Sequence, residues 1–76
     1  MLRFDTKALF AALDHQRATR GLSWKDVAKA TGVSASTITR LRAGGRMEVD
    51  GALALVHWLG VTVETFVRTS AGRAET

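Results

Sequence analysis

Residues 24–42 contain small residues at the positions where two short helices must approach each other closely and turn. Ala28 is small enough for the second helix to pack against the first, and Gly32 can adopt the positive φ of a tight turn without a clash at Cβ. Ser34 can cap the next helix by accepting a hydrogen bond from one of its first amides. The spacing therefore predicts two short helices joined by a turn.

The second of these helices has one apolar and one polar face. Ile38 and Leu41 are three residues apart and fall on the same side, whereas Thr39 and Arg40 face outward. A DNA-binding helix-turn-helix has this pattern, because its second helix must pack on the protein and still present polar side chains to the major groove. The segment therefore predicts a helix-turn-helix that binds DNA.

Positive charge is concentrated on the same part of the chain. Seven basic residues between His15 and Arg46 face one acidic residue, Asp26, whereas the rest of the chain has four basic and six acidic residues and the whole chain carries +4. The seven are Arg17, Arg20, Lys25, Lys29, Arg40, Arg42 and Arg46. A basic surface there would attract a phosphate backbone. The alternative is a solvated basic face that only keeps a small protein soluble.

The composition predicts one small domain without covalent cross-links. The 76 residues include no cysteine, so neither a disulfide nor a thiolate metal site can stabilise the core. The first residues lack the apolar core of a signal peptide, and no apolar run is long enough to cross a membrane. We expect a cytoplasmic protein with no membrane association.

No group of residues predicts catalysis. Asp14 and His15 are adjacent, but neighbouring side chains of a helix diverge, and no nucleophile lies at a fitting offset. Gly44-Gly45 is not followed by the lysine and serine of a phosphate loop. His15 and His57 are isolated from cysteines and from clustered carboxylates. We expect no enzymatic activity, cofactor, metal or small-molecule ligand.

Apolar periodicity and capping residues predict five helices and no strand. The first helix is capped by Asp5 or Thr6 and ended by Gly21. The second helix spans about Trp24–Ala30, and the third spans about Ala35–Ala43. The fourth helix is capped by Asp50 and ended by Gly60, and a short fifth helix is capped by Thr62. The core candidates towards the end of the chain are Leu53, Leu55, Val56, Leu59, Val63, Phe66 and Val67, and Phe4 and Phe10 are further candidates. The domain is expected to span residues 1–68, followed by a polar, flexible tail over residues 69–76.

The order of these signals resembles the lambda-repressor-like, or XRE-type, helix-turn-helix proteins of phages and bacteria. The residues that carry the resemblance are Gly21-Leu22-Ser23, Val27-Ala28, Gly32-Val33-Ser34, Ser36-Thr37-Ile38-Thr39-Arg40-Leu41 and Gly44, followed by Asp50, Leu53, Leu55, Leu59-Gly60-Val61-Thr62 and Phe66. The resemblance covers about residues 5–68. It implies a compact all-α domain of five helices that regulates transcription, often as a homodimer on a partly palindromic site in double-stranded DNA.

The resemblance also implies which residues meet DNA. In the major groove, base contacts would come from Ala35, Ser36, Thr39 and Arg40. Near phosphates would lie Trp24, Lys25, Ala43 and Arg46. Arg40 can bind a guanine through two hydrogen bonds, and the alternative for it is contact with phosphate alone. For Ser36 the alternative is helix capping beside Ser34.

Three positions depart from the family pattern. Trp24 stands where many members have glutamine, and it can stack or shield but offers only one indole donor. Thr31 stands where an apolar residue is usual and slightly weakens the second helix. Arg42 stands where many members have a glutamate that pairs with an arginine of the first helix, here Arg17. Either Arg42 turns outward to a phosphate, or Asp14 binds Arg17 through a contact three residues along the helix.

The resemblance places the subunit contact near the end of the fourth helix and in the fifth. The exposed apolar candidates there are Trp58, Val63 and Val67. We expect weak association in solution that DNA strengthens, in the cytoplasm of a bacterial cell or a phage-infected host. The rival function is a protein-interaction module, such as an antitoxin or adaptor, built on the same helices.

Overall fold

The computed structural model describes residues 2–69, which are mostly helical. In chain order the elements are β1 (Leu2–Phe4), α1 (Thr6–Thr19), α2 (Trp24–Thr31), α3 (Ala35–Arg40), a first 3-10 turn (Leu41–Ala43), α4 (Val49–Leu59), a second 3-10 turn (Val63–Phe66) and β2 (Val67–Thr69). The predicted count of five helices is therefore wrong for this part of the chain, because the expected fifth helix is a 3-10 turn that runs into a strand. None of the described helices is long and apolar enough to span a membrane.

The strands β1 and β2 form an antiparallel ribbon that the sequence did not predict. The register pairs Leu2 with Thr69, Arg3 with Arg68 and Phe4 with Val67. Phe4 packs edge-on against Phe66 with the ring centres 6.0 Å apart, and the Asp5 amide donates to the Phe66 carbonyl at 2.7 Å. The boundary predicted after residue 68 falls inside β2, and residues 70–76 of the expected tail lie outside the described residues.

The helix ends follow some of the predicted caps. Asp5 caps α1 by accepting a hydrogen bond from a backbone amide 3.0 Å away, and Gly60 ends α4 with φ of +76°, as predicted. The predicted cap at Asp50 is wrong, because α4 begins after Glu48 and Asp50 lies in its first turn. Thr62 precedes the second 3-10 turn but makes no side-chain capping bond, which also differs from the prediction.

The core forms where α1 and α4 pack against the helix-turn-helix, which consists of α2, α3 and the first 3-10 turn. Its largest fully buried side chains are Leu9, Leu13, Val27, Ile38, Leu41 and Leu55. Leu55, Val56 and Phe66 are buried as predicted, but Leu53 is 48% exposed. Two residues along a helix are separated by about 200°, so Leu53 and Leu55 cannot share a face. The half-buried side chains that pack against the core include Phe4, Phe10 and Leu59. Val63 and Val67 are also half-buried.

Candidate nucleic-acid interface

A capping box formed by Ser23 and Asp26 fixes the start of α2. The Ser23 hydroxyl accepts a hydrogen bond from the Asp26 amide at 3.1 Å, and the Asp26 carboxylate accepts one from the Ser23 amide at 2.9 Å. The Ser23 amide, followed by the Ser23 side chain, holds the pKa of Asp26 below its ordinary value of 3.8. The box orders the helix terminus that carries Trp24 and Lys25.

Replacing Asp26 by asparagine (Asp26→Asn) is expected to lower the thermal unfolding temperature at pH 7 but not in strong acid. The folded-state pKa is depressed, so the stabilising contribution of the carboxylate is present above its unfolded-state pKa and is lost as the pH falls through the folded-state pKa. Circular dichroism melts at pH 7 and at steps down into strong acid would measure the difference. The matched control is Asp50→Asn, since Asp50 also lies in the first turn of a helix; equal losses for both variants at pH 7 would contradict a specific effect of the capping box.

The turn between α2 and α3 is closed by Gly32 and Thr31. Gly32 has φ of +79°, as predicted, and its amide donates to the Ala28 carbonyl at 2.8 Å. The Thr31 hydroxyl donates to the Val27 carbonyl at 2.8 Å and accepts from the Val33 amide at 3.2 Å. Thr31 thus satisfies two backbone groups at the turn, a favourable contribution that the sequence did not indicate.

Ser34 caps α3 as predicted. Its hydroxyl accepts a hydrogen bond from the Thr37 amide at 3.2 Å and donates one to the Thr37 hydroxyl at 2.7 Å. The Ser36 hydroxyl lies 3.4 Å from that of Ser34. These hydroxyls order the first turn of α3, which carries the base-contact candidates Ala35 and Ser36.

α3 divides into a buried side and an exposed side. Ile38 and, just beyond the helix, Leu41 are buried in the core. Ser36, Thr39 and Arg40 are exposed. Ala35, the fourth base-contact candidate, is half-buried. The core therefore holds α3 on one side while its polar edge remains open to a ligand.

The Arg40 guanidinium bends back along α3 through two long contacts. Its Nε lies 3.5 Å from the Ser36 carbonyl oxygen, and one terminal nitrogen lies 3.5 Å from the Thr37 hydroxyl. Both distances are at the upper limit for a hydrogen bond, so little is lost when the guanidinium turns to another acceptor. A planar guanidinium held this loosely can bind a guanine edge or a phosphate.

One base-contact candidate and two phosphate-contact candidates lie around the C-terminal end of α3. Arg40, Ala43 and Arg46 line one groove there together with Met47 and Glu48. The other basic candidates, Lys25 and Arg42, are also exposed. The groove brings together three residues that the sequence predicts to contact DNA.

Trp24 belongs to a stack of aromatic rings and arginines rather than standing free. Its ring is stacked on Phe10, with the ring centres 5.1 Å apart and 24° between the planes. The Arg17 guanidinium lies 4.9 Å from the Trp24 ring centre, and the Arg42 guanidinium lies 5.9 Å from that of Phe10. The stack links α1, the start of α2 and the first 3-10 turn, which follows α3.

Arg17 is paired within α1, which decides between the two alternatives for it. It forms an ion pair with Asp14 at 2.8 Å, and a second guanidinium nitrogen donates to the Leu22 carbonyl at 2.8 Å. The alternative in which Asp14 binds Arg17 is therefore confirmed. Arg42 is exposed and takes part in neither of the ion pairs found in residues 2–69, so its guanidinium can leave the Phe10 ring for a phosphate without breaking one.

A buried hydroxyl fixes the loop that follows the first 3-10 turn. Thr6, predicted only as a possible cap, is 6% exposed and donates to the Gly45 carbonyl at 2.7 Å. Gly44 beside it has φ of +84°, and a Cβ there would lie 2.8 Å from a Lys7 side-chain carbon. The bond connects the start of α1 to the loop that carries Arg46, a connection that the sequence did not indicate.

The predicted subunit-contact residues are less exposed than expected. Trp58, Val63 and Val67 are all half-buried. The Arg20 guanidinium lies 4.9 Å from the Trp58 ring centre, and Val67 is paired with Phe4 in the ribbon. The interpretation of these three as exposed apolar side chains is corrected, because the sequence predicts neither the ribbon nor the contact of Arg20 with Trp58.

The histidines lie apart from any cluster of ligands. His15 and His57 are both exposed, and Asp14, next to His15 in sequence, is bound to Arg17. Residues 2–69 contain no group of three side chains placed to hold a metal ion.

Two short helices meet at a turn over residues 32–34, and the second has a buried apolar side and an open polar edge. This arrangement defines a helix-turn-helix protein. The chain belongs to the Cro/C1-type helix-turn-helix DNA-binding domains, whose family model matches residues 12–72. The predicted resemblance to the lambda-repressor-like family is therefore confirmed. No curated protein and no solved structure matches the chain significantly.

Proposed function

We propose that this protein is a sequence-specific transcriptional regulator of the phage-repressor or Cro type. It lays residues 35–43 in the major groove of double-stranded DNA and acts in the cytoplasm of a bacterial cell or phage-infected host. The observation that carries the proposal is the orientation of α3. Ile38 anchors the helix in the core, while Ser36, Thr39 and Arg40 stay exposed.

The proposed contacts divide into those that select a sequence and those that position the protein. Ala35, Ser36, Thr39 and Arg40 meet base edges, with Arg40 as the strongest selective contact because it can bind guanine O6 and N7 together. The phosphate contacts are Trp24, Lys25, Arg42, Ala43 and Arg46. For Trp24 and Ala43 the donor is the indole N–H or the backbone amide, since neither side chain is charged.

A dimer on DNA is part of this proposal. The exposed edge of α3 carries a single long hydrogen-bonding side chain, Arg40. One copy of the chain therefore makes few base contacts, too few for tight specific binding. Two copies on half-sites about 34 to 36 Å apart would double them. The binding site should then be partly palindromic.

Selection of bound duplexes from a random library would test the proposal. A recovered site with two related half-sites, each containing a guanine required by Arg40, would support it. Recovery of duplexes with no common sequence would contradict sequence-specific binding.

Arg40→Ala and Arg46→Ala are expected to weaken binding in different ways. Loss of a bidentate guanine contact should cost about 1 to 3 kcal/mol on the selected site and remove the preference at one base position. Loss of Arg46 should weaken selected and scrambled duplexes alike, since a phosphate carries no sequence information. Titration of both variants on both duplexes would measure this. If Arg40→Ala also lost equal affinity on both, Arg40 would contact phosphate alone.

A further inference from the structure

The outward side of α4 carries side chains that the fold leaves uncovered. Val49 is 70% exposed and Leu53 is 48% exposed. Asp50 and His57 are exposed as well. The buried residues of the same helix are Ala52, Leu55 and Val56. We refer to Val49, Asp50, Leu53 and His57 as the outer face of α4.

The order of residues along the outer face is self-complementary. Asp50 precedes Leu53 by three residues and His57 follows it by four, so each lies about one helical turn from Leu53. If two copies of α4 pack antiparallel with Leu53 against Leu53, Asp50 of each copy lies opposite His57 of the other. An imidazole has an N–H to donate to a carboxylate in both its neutral and its protonated form. One two-fold axis therefore creates one apolar contact and two identical polar pairs.

A second copy of the chain suits this face better than DNA does. Asp50 places a carboxylate on this face in the first turn of α4, where it would repel a phosphate backbone. The basic residues that could attract phosphate are concentrated between Arg17 and Arg46. The charge pattern thus separates a DNA-binding side of the chain from a helix face whose charges complement those of its own copy.

We propose that two copies of this chain associate through the outer face of α4, with Leu53 at the centre and Asp50 paired with His57 across the axis. The proposal rests on the dimer proposed above and gives it a surface other than Trp58, Val63 and Val67. α4 has 11 residues and is about 16 Å long. A contact along so short a helix buries little surface, so the two copies associate weakly in free solution. The association is detected mainly as cooperative binding of the second copy on DNA.

Leu53→Asp tests the centre of this contact. On a duplex with two half-sites, the factor by which the first bound copy raises the affinity of the second is expected to fall by at least about tenfold. The reason is that a buried carboxylate pair replaces the central apolar contact. Binding to a duplex with one half-site should stay unchanged. Leu2→Asp is the matched control, because Leu2 is likewise an exposed leucine, at 70% against 48% for Leu53, but lies in β1. It should keep full cooperativity.

Charge exchange tests the predicted register. Asp50→Lys alone sets a lysine opposite His57 of the second copy, and His57→Asp alone sets two carboxylates opposite each other, so each variant should lose cooperativity. An equimolar mixture of the two variants restores one opposite-charge pair and keeps one native pair. Cooperativity is therefore expected to return in the mixture, and sedimentation of the free proteins at high concentration should show two copies only for the wild type and the mixture. Recovery in the mixture also shows that both variants fold.

Three results would overturn the inference and separate it from the proposed function. A mixture that stays non-cooperative, while the wild type binds two copies cooperatively, would move the contact elsewhere and leave the DNA-binding function intact. Equal loss of cooperativity in Leu2→Asp would remove the special role of α4. Loss of single half-site binding in Leu53→Asp with an unchanged melting temperature would show that the outer face meets DNA. Failure of the wild type to bind any duplex would instead contradict the proposed function itself.

Discussion

Raising the salt concentration from 50 to 200 mM is expected to weaken binding of one copy to duplex DNA by about 60- to 500-fold. Each phosphate contact releases condensed counterions, so three to five contacts give a slope of log K against log salt of about −3 to −4.5. Lys25, Arg40, Arg42 and Arg46 are exposed and can supply these contacts. Fluorescence anisotropy with a labelled duplex of unrelated sequence would measure the slope.

The salt titration needs a control for the fold. The ion pairs among the described residues, Arg17 with Asp14 and Arg68 with Asp5, join partly exposed side chains. Pairs of this kind contribute little to stability. The circular dichroism melt should therefore change little over the same salt range. A flat binding response with an intact fold would contradict phosphate binding and favour the rival role as an antitoxin or adaptor that binds protein.

Ile38→Ala is expected to lower the free energy of unfolding by about 2 to 5 kcal/mol. Ile38 is fully buried in the shared core, so truncation leaves a cavity beneath α3. A domain of this size has little stability in reserve, and DNA affinity should fall with the folded population. Urea unfolding and DNA titration of the same preparation would measure both losses.

Thr39→Ala is the control for the unfolding measurement. Thr39 is the next residue of α3 but is exposed, and its hydroxyl donates to the Ser36 carbonyl at 3.2 Å. The unfolding free energy of the Thr39→Ala variant should stay within about 0.5 kcal/mol of the wild-type value. A loss as large as that of Ile38→Ala would show that α3 is not held mainly by its buried side.

The features that the sequence predicted correctly depend on local chemistry. The positive φ of Gly32 and the cap at Ser34 follow from residues within one turn of each other. The pairing of Asp14 with Arg17 is likewise a contact within one helix. Such features need only the residue types and their spacing, so the sequence alone predicts where the helix-turn-helix lies.

The features that the sequence missed depend on partners far along the chain. The strands of the ribbon have three residues each and no connecting turn, so neither a hairpin signal nor a long alternating pattern marks them. The bond from Thr6 to Gly45 joins residues 39 positions apart. The residue type of Leu53 predicts a place in the core, although its position on the helix turns it outward. For the candidate interface, the sequence named side chains but not the stack of Trp24 on Phe10.

The ribbon has a consequence for the order in which the domain folds. Phe4 and Val67 pair across the whole segment 5–66, so closing the ribbon first would cost the entropy of a very long loop. Packing α1 to α4 brings the two strands together and removes most of that cost, because the contacts within the helix-turn-helix are local. We therefore expect the ribbon to form last and to open first. Amide hydrogen exchange in β1 and β2 would then be faster than in α3, and the recognition helix would stay protected while the ribbon is open.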